Sequence, residues 1–325
     1  MPRRWSAVVC LVVVLLICGC QAASVRRGSM PPKAPSAALQ GLLLDVRTQQ
    51  FISFETLVAD VATAKVVAVG EEHYHAAIQA FELRLLQALT ERRPQHVALG
   101  MEFLERDAQA TVAAYLDGTI GRAAFQERLA ASPAFMELYF PLVRYARLHG
   151  LPVVSLNIPR RIARQVAEHG LGKTLERLSR TDQAYLPASL TPISPRYRAY
   201  FLEAVAPYHS PQGKQADYFV EASHLKDDTM AQAIGAFLDR HADFTILAIA
   251  GRFHFDYGIA IPTILRQQHP QASIRRITTM SVAAEEGLDL QRLAQEDLAD
   301  YVRFFPPAST QRSTAAAPLP TAGQD

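Results

Sequence analysis

Four apolar runs in this chain each stop at a residue able to do chemistry. Val66 to Val69 runs into Gly70-Glu71-Glu72-His73-Tyr74-His75, and His96 to Leu99 runs into Gly100-Met101-Glu102. Pro152 to Leu156 ends at Asn157, and Phe244 to Ala250 ends at Gly251-Arg252-Phe253-His254. The runs are continuously apolar rather than alternating, as expected for strands of a parallel sheet buried on both faces. In open parallel sheets, ligands bind outside the carboxyl ends of the strands. The pattern therefore predicts a sheet and a polar site at one edge of it.

The segments between the runs read as helices. Ile78, Phe81, Leu85 and Leu89 follow helical spacing until Pro94, and Ile162, Val166 and Leu171 are roughly periodic. Met230, Ile234, Phe237 and Leu238 line one face before the fourth run, with Asp227 read as the cap that starts their helix. Ile259, Ile264 and Leu265 follow that run, with Pro262 near a helix start. This alternation predicts an α/β fold: three layers, a mainly parallel sheet, and helical insertions covering its carboxyl edge. The insertions are Arg106 to His149 and Arg160 to Arg240, which carry helical patterns without a strand.

The termini read differently. Arg3 and Arg4 precede an apolar stretch from Val8 to Ile17, which is short for a bilayer span and ends in Leu16-Ile17-Cys18-Gly19-Cys20. Residues 1–19 then read as a lipoprotein signal peptide and Cys20 as the lipidation site, since Gly19 is small where Ile17 is not. Gln21 in place of aspartate points to the outer membrane of a bacterial cell envelope. Residues 20–38 form a Pro- and Ser-containing tether, residues 39–305 one α/β body, and residues 306–325 a tail expected to be disordered.

All three cysteines, Cys10, Cys18 and Cys20, lie in the leader, so the body has no thiol for a disulfide, a zinc-thiolate site or a thiolate haem ligand. Loss of Arg3 and Arg4 leaves Lys plus Arg equal to Asp plus Glu, and nothing in that balance points to nucleic acid.

At the strand ends, Glu71 and His73 are two apart and share a side if the strand persists. A carboxylate beside an imidazole can act as an acid–base pair or as two metal ligands; it is equally consistent with a cap and a buried, satisfied histidine. Glu102 and His254 follow buried runs in the same way, and a carboxylate there is costly unless paired. The expected pocket is therefore Glu71, His73, Glu102, Asn157, Asp227 and His254, with the first two converging on Glu102 and His254. Walker, dinucleotide-binding, nucleophile-elbow and His-Glu-x-x-His motifs are absent.

The ordered set Gly70-Glu71-Glu72-His73, Gly100-Met101-Glu102-Phe103 with Gln109 and Tyr115, Tyr139-Phe-Pro-Leu-Val-Arg-Tyr145-Ala-Arg, Leu156-Asn157-Ile-Pro-Arg160, Asp227-Asp-Thr-Met-Ala231 and Gly251-Arg-Phe-His254 resembles the ChaN-like family of haem-binding uptake lipoproteins. It departs from that pattern at Lys226, where an aromatic is expected, and at Ala260, where glycine is expected. The resemblance implies non-covalent haem, a role in haem and iron acquisition beside outer-membrane uptake machinery, and a homodimer as one assembly. With no thiolate available, the ligand would be a tyrosinate or a histidine. The tyrosine candidates are Tyr139, Tyr145, Tyr218 and Tyr257. The family's fold also looks like that of erythromycin esterases and TraB/Tiki-type proteins. That likeness implies the rival reading of a hydrolase, with Glu71, His73, Glu102 and His254 holding a divalent metal or serving as acid and base.

Overall fold

A computed structural model describes residues 33–206, 212–283 and 287–308. The leader, Cys20, most of the tether and the tail from 309 lie outside the described residues.

The strands, in chain order, are β1 (Lys33–Pro35), β2 (Leu43–Asp45), β3 (Gln50–Phe51), β4 (Val66–Glu71), β5 (Val97–Glu105), β6 (Val153–Asn157), β7 (Thr245–Gly251), β8 (Ile274–Ser281), β9 (Gly287–Asp289) and β10 (Tyr301–Phe305). β1 and β9 form an antiparallel pair. The other eight build one sheet in the order β3-β2-β10-β8-β4-β7-β5-β6, parallel from β10 to β6 and antiparallel only at β2 and β3. The four apolar runs are β4 to β7, which form one side of this sheet with β7 inserted between β4 and β5.

Alternate residues of these strands feed separate cores, which makes the three layers. Val67, Val69, Leu99, Met101, Leu247 and Ile249 pack beneath helices Phe54–Val61, Ala76–Arg92 and Phe140–Leu148. Val66, Ala68, Ala98, Ile246, Ala248 and Ala250 face helices Lys214–Arg240 and Ile261–Gln268. Both sets are almost completely buried, so each strand is apolar along its whole length.

Three expectations need correction. First, Asp227 does not begin a helix. The helix runs from Lys214 to Arg240, and Asp227 is buried at its middle. Asp has low intrinsic helix propensity and favours caps, but a tertiary partner described below holds it in the interior. Second, β5 continues past Glu102 to Glu105, with a register shift against β6 between Met101 and Glu105. Third, β8 and β10 join the sheet without having been expected as strands. Arg275, Arg276, Thr278 and Thr279 make β8 polar in sequence, yet Arg276 is buried, with hydrogen bonds to Asp297 and an ion pair to Asp300.

Candidate functional site

The carboxyl ends of β4, β5 and β7 are adjacent, so Glu71, Glu102 and Gly251 arrive together; Glu71 pairs in register with Gly251. The chain leaves β4 through His73 and then Tyr74, whose φ of 58° is left-handed. His73 Nδ1 thereby meets Glu71 Oε1 at 2.8 Å. Past β7, a short turn over Arg252–His254 brings His254 back between two acids. Its Nδ1 lies 2.6 Å from Asp227 Oδ1 and its Nε2 3.3 Å from Glu102 Oε1.

Each acid is further supplied with donors. The Tyr139 hydroxyl donates to Glu71 Oε1 at 2.6 Å, and Gln79 Nε2 donates to Glu71 Oε2 at 2.8 Å. The Gly251 amide donates to Glu102 Oε2 at 2.8 Å. The Tyr197 hydroxyl donates to Asp227 Oδ2 at 2.5 Å. Gly251 has a steric role as well. A Cβ there would stand 3.0 Å from His73 Cε1 and 3.7 Å from Glu102 Oε2, so only glycine lets β7 pass this close without displacing His73.

The two imidazoles differ in kind. Burial disfavours charge on His254, but Glu102 and Asp227 outweigh it and push its pKa up to about 10. Burial likewise opposes ionisation of Glu102. His254 outweighs it, with help from His73 and Lys226, and holds that carboxyl well below the usual range. Glu102, His254 and Asp227 therefore form a buried ionic clamp joining β5, the turn after β7 and helix Lys214–Arg240. His73 is the exchangeable group. Burial pulls its pKa down, and the bond to Glu71 with the charges of Glu102 and Glu71 raises it on balance. Its side chain is 43% exposed.

His73 opens into a cavity of about 1240 Å³ at the sheet edge. Helix Pro195–Val205 covers it with Arg196, Tyr200 and Glu203. The Tyr200 ring stacks on Phe253 at 4.8 Å and 9°, Tyr257 stands edge-on to Tyr200 at 5.5 Å, and all three make this wall of the cavity aromatic. Tyr257 is left-handed, with φ 57°. Such strain in a non-glycine residue costs on the order of 1–2 kcal/mol and clusters at functional sites. Arg252 is tied to Asp256 and Glu72, and Arg292 to Glu296, whereas Arg196 is exposed beside the cavity.

Of the expected pocket, Glu71, His73, Glu102, Asp227 and His254 come together. Asn157 does not join them. It ends the edge strand β6, and its Oδ1 is buried without a hydrogen-bond partner. Among the tyrosines, Tyr257 alone of the four faces the cavity. Tyr139 is fully buried under Glu71, and its pKa is driven far upward by burial and by that carboxylate, so it is a donor and not an iron ligand. Tyr145 stacks on His149 and lines a separate groove of about 660 Å³. Tyr218 packs its ring against Gly170. Gln79, Tyr197, Tyr200 and Phe253 belong to the site without having been expected. Gln79 carried a signal, since a polar residue falls within the apolar spacing Ile78, Phe81 and Leu85.

No group of three or more His, Cys, Asp or Glu side chains among the described residues is arranged to hold a metal ion. The acids of the site spend their oxygens on Tyr139, Gln79, Tyr197, Gly251 and the two histidines. No helix among the described residues is long and apolar enough to cross a membrane.

A family profile described as "Haem-binding uptake, Tiki superfamily, ChaN" matches residues 57–265. Among solved structures, ChaN of Campylobacter jejuni, described with cofacial haem binding, is 19% identical, with 80% of this chain and 95% of that chain covered and a TM-score of 0.61. An erythromycin esterase, an EreC mutant in its open conformation, is 18% identical over 74% of this chain and 76% of its own, with a TM-score of 0.44. An effector domain of a MARTX toxin from Vibrio vulnificus is 14% identical over 73% of this chain and 37% of its own, with a TM-score of 0.42. At these identities the likeness is one of fold. No match was found among curated protein sequences.

Proposed function

Because the chain belongs to the ChaN-type haem-binding uptake family of the Tiki superfamily, we propose that its sheet-edge cavity binds haem for iron acquisition. The observation that carries this reading is the cavity's aromatic wall. Tyr200, Phe253 and Tyr257 line a space of about 1240 Å³, with Arg196 exposed beside it to meet a carboxylate. The donor set fits the group. The body supplies no thiolate, and Tyr257 lines the cavity as a candidate ligand. Burial, with the charges of Asp256 and Glu296, raises the Tyr257 pKa, so its ionisation would depend on the ferric iron itself. Bound haem would supply the iron, and the chain would orient the macrocycle and neutralise a carboxylate.

Titrating ferric haem into purified protein tests this. Saturable binding with a Soret shift is expected, and Tyr257→Phe should change the spectrum. Weak, unsaturable change that Tyr257→Phe does not alter would end the reading.

The proposal extends to location. Lipidation at Cys20 would tether the body to the envelope membrane beside uptake machinery. Mass spectrometry of the mature N-terminus checks it. A mature chain that begins anywhere but Cys20 removes the tether from the proposal.

A second reading rests on one observation, the half-exposed His73 imidazole that lines the cavity beside its partner Glu71. His254 is held as a cation by two acids, whereas His73 can exchange a proton with a bound molecule. That arrangement suits acid–base hydrolysis. Only neutral His73 can serve as base, so the rising limb of the rate should lie above the ordinary histidine value, in line with its raised pKa. Ester hydrolysis that survives His73→Ala would dismiss this reading.

A further inference from the structure

Beneath His73 two buried carboxyls lie against each other in the core, Glu71 and Glu82. Glu71 is 2% exposed and Glu82 is not exposed at all. Glu82 lies on helix Ala76–Arg92, one turn beyond Gln79, with Ile78, Phe81 and Leu85 among its buried neighbours in sequence. The two acids are treated very differently. Glu71 receives three donors, from Tyr139, Gln79 and His73. Neither oxygen of Glu82 has a hydrogen-bond partner, and the Oε1 of Gln79 is unpartnered as well.

An ionised carboxylate in that position would lack both donors and a counter-charge, and it would face a second carboxylate. The titratable groups acting across it are Glu71 from β4 and Tyr139 from the turn before helix Phe140–Leu148; neither is a cation. Burial, then the charge of Glu71 and contact with its carboxylate, push the Glu82 pKa well above the ordinary value. Where acceptors crowd together without an N–H between them, one of them must carry a proton. Glu71 is already the acceptor of three donors, so the proton belongs on Glu82.

We propose that Glu82 is a positioning residue for His73: a neutral carboxylic acid that donates its proton to Glu71, so that the pair presents one negative charge to the imidazole. Glu71 lines the cavity and Glu82 lies behind it, so Glu82 acts on His73 whichever ligand the cavity takes.

The test follows the titration of His73 by NMR in the full-length protein, beside Glu82→Gln and Glu82→Leu. Glutamine is neutral and keeps an N–H donor toward Glu71, so Glu82→Gln should leave the His73 titration where it is. Leucine removes the donor and leaves the Glu71 charge less satisfied, so Glu82→Leu should move the titration upward by about half a unit. A downward shift in Glu82→Gln would mean that an anion had been removed, and would overturn the proposal. A Glu82→Leu protein that titrates like the parent would overturn the positioning role. Infrared spectroscopy gives an independent reading if the leucine variant does not fold. A protonated carboxyl stretch should persist at pH 8 in the parent and vanish in Glu82→Gln; its absence from the parent would refute the neutral acid.

Discussion

Replacing Asp227 by asparagine keeps the shape of the ionic clamp and removes one of its charges. His254 is pushed up to about 10 in the folded protein, against an ordinary value of 6.5. That difference corresponds to roughly 5 kcal/mol at most, at about 1.4 kcal/mol per unit. Glu102 and Asp227 produce this net rise against the opposing effect of burial, so losing Asp227 should remove at least half of it, about 3 kcal/mol. The asparagine oxygen can still accept from His254 Nδ1–H, with its NH2 donating to the Tyr197 hydroxyl, which keeps the loss from being larger. The sign of the pH dependence follows from the direction of the shift. A raised histidine contributes fully below its unfolded pKa, and the contribution is lost as pH rises from about 6.5 through about 10. The parent protein should therefore lose stability across that window. Asp227→Asn should be less stable near pH 6, with the gap closing as pH approaches 10. Urea unfolding at a series of pH values measures both curves. Two parallel curves separated by a constant offset, or a parent curve flat between pH 7 and 10, would show that His254 is not held as a buried cation.

Tyr139→Phe removes the shortest donor to Glu71 and the acceptor for the Tyr74 amide. Urea unfolding should record a loss of about 1–3 kcal/mol. Gly251→Ala should displace His73 slightly against Glu71, because the new methyl would stand 3.0 Å from the ring; a changed His73 titration and a loss of about 1–3 kcal/mol are expected. Gly170→Ala combines a left-handed backbone, φ 84°, with a methyl 2.6 Å from the Tyr218 ring, so its thermal midpoint should fall while haem titration at the distant cavity is unchanged.

Much of the scaffold is legible in the chain. Continuous apolar runs require burial on both faces, and that requirement alone leads to a parallel sheet with helices on either side. The acids and histidines at the ends of β4, β5 and β7 converge because parallel strands deliver their carboxyl ends to one edge. β8 escaped notice because its buried Arg276 has partners 21 and 24 residues away, which no local pattern records.

The roles within the site were settled by tertiary structure. A sequence shows that Asp227 precedes a helical pattern, but only the folded chain places His254 against it and so makes a mid-helix aspartate stable. Tyrosines are equivalent as letters. Burial under Glu71 makes Tyr139 a donor, packing on Gly170 occupies Tyr218, and a left-handed turn leaves Tyr257 at the cavity. Local periodicity fixes which face of an element is apolar, because that depends on the residue's own strand or helix. Protonation and partnership depend on groups brought in from elsewhere in the chain. Glu82, 11 residues from Glu71 in sequence and beside it in the core, has its character decided by the fold alone.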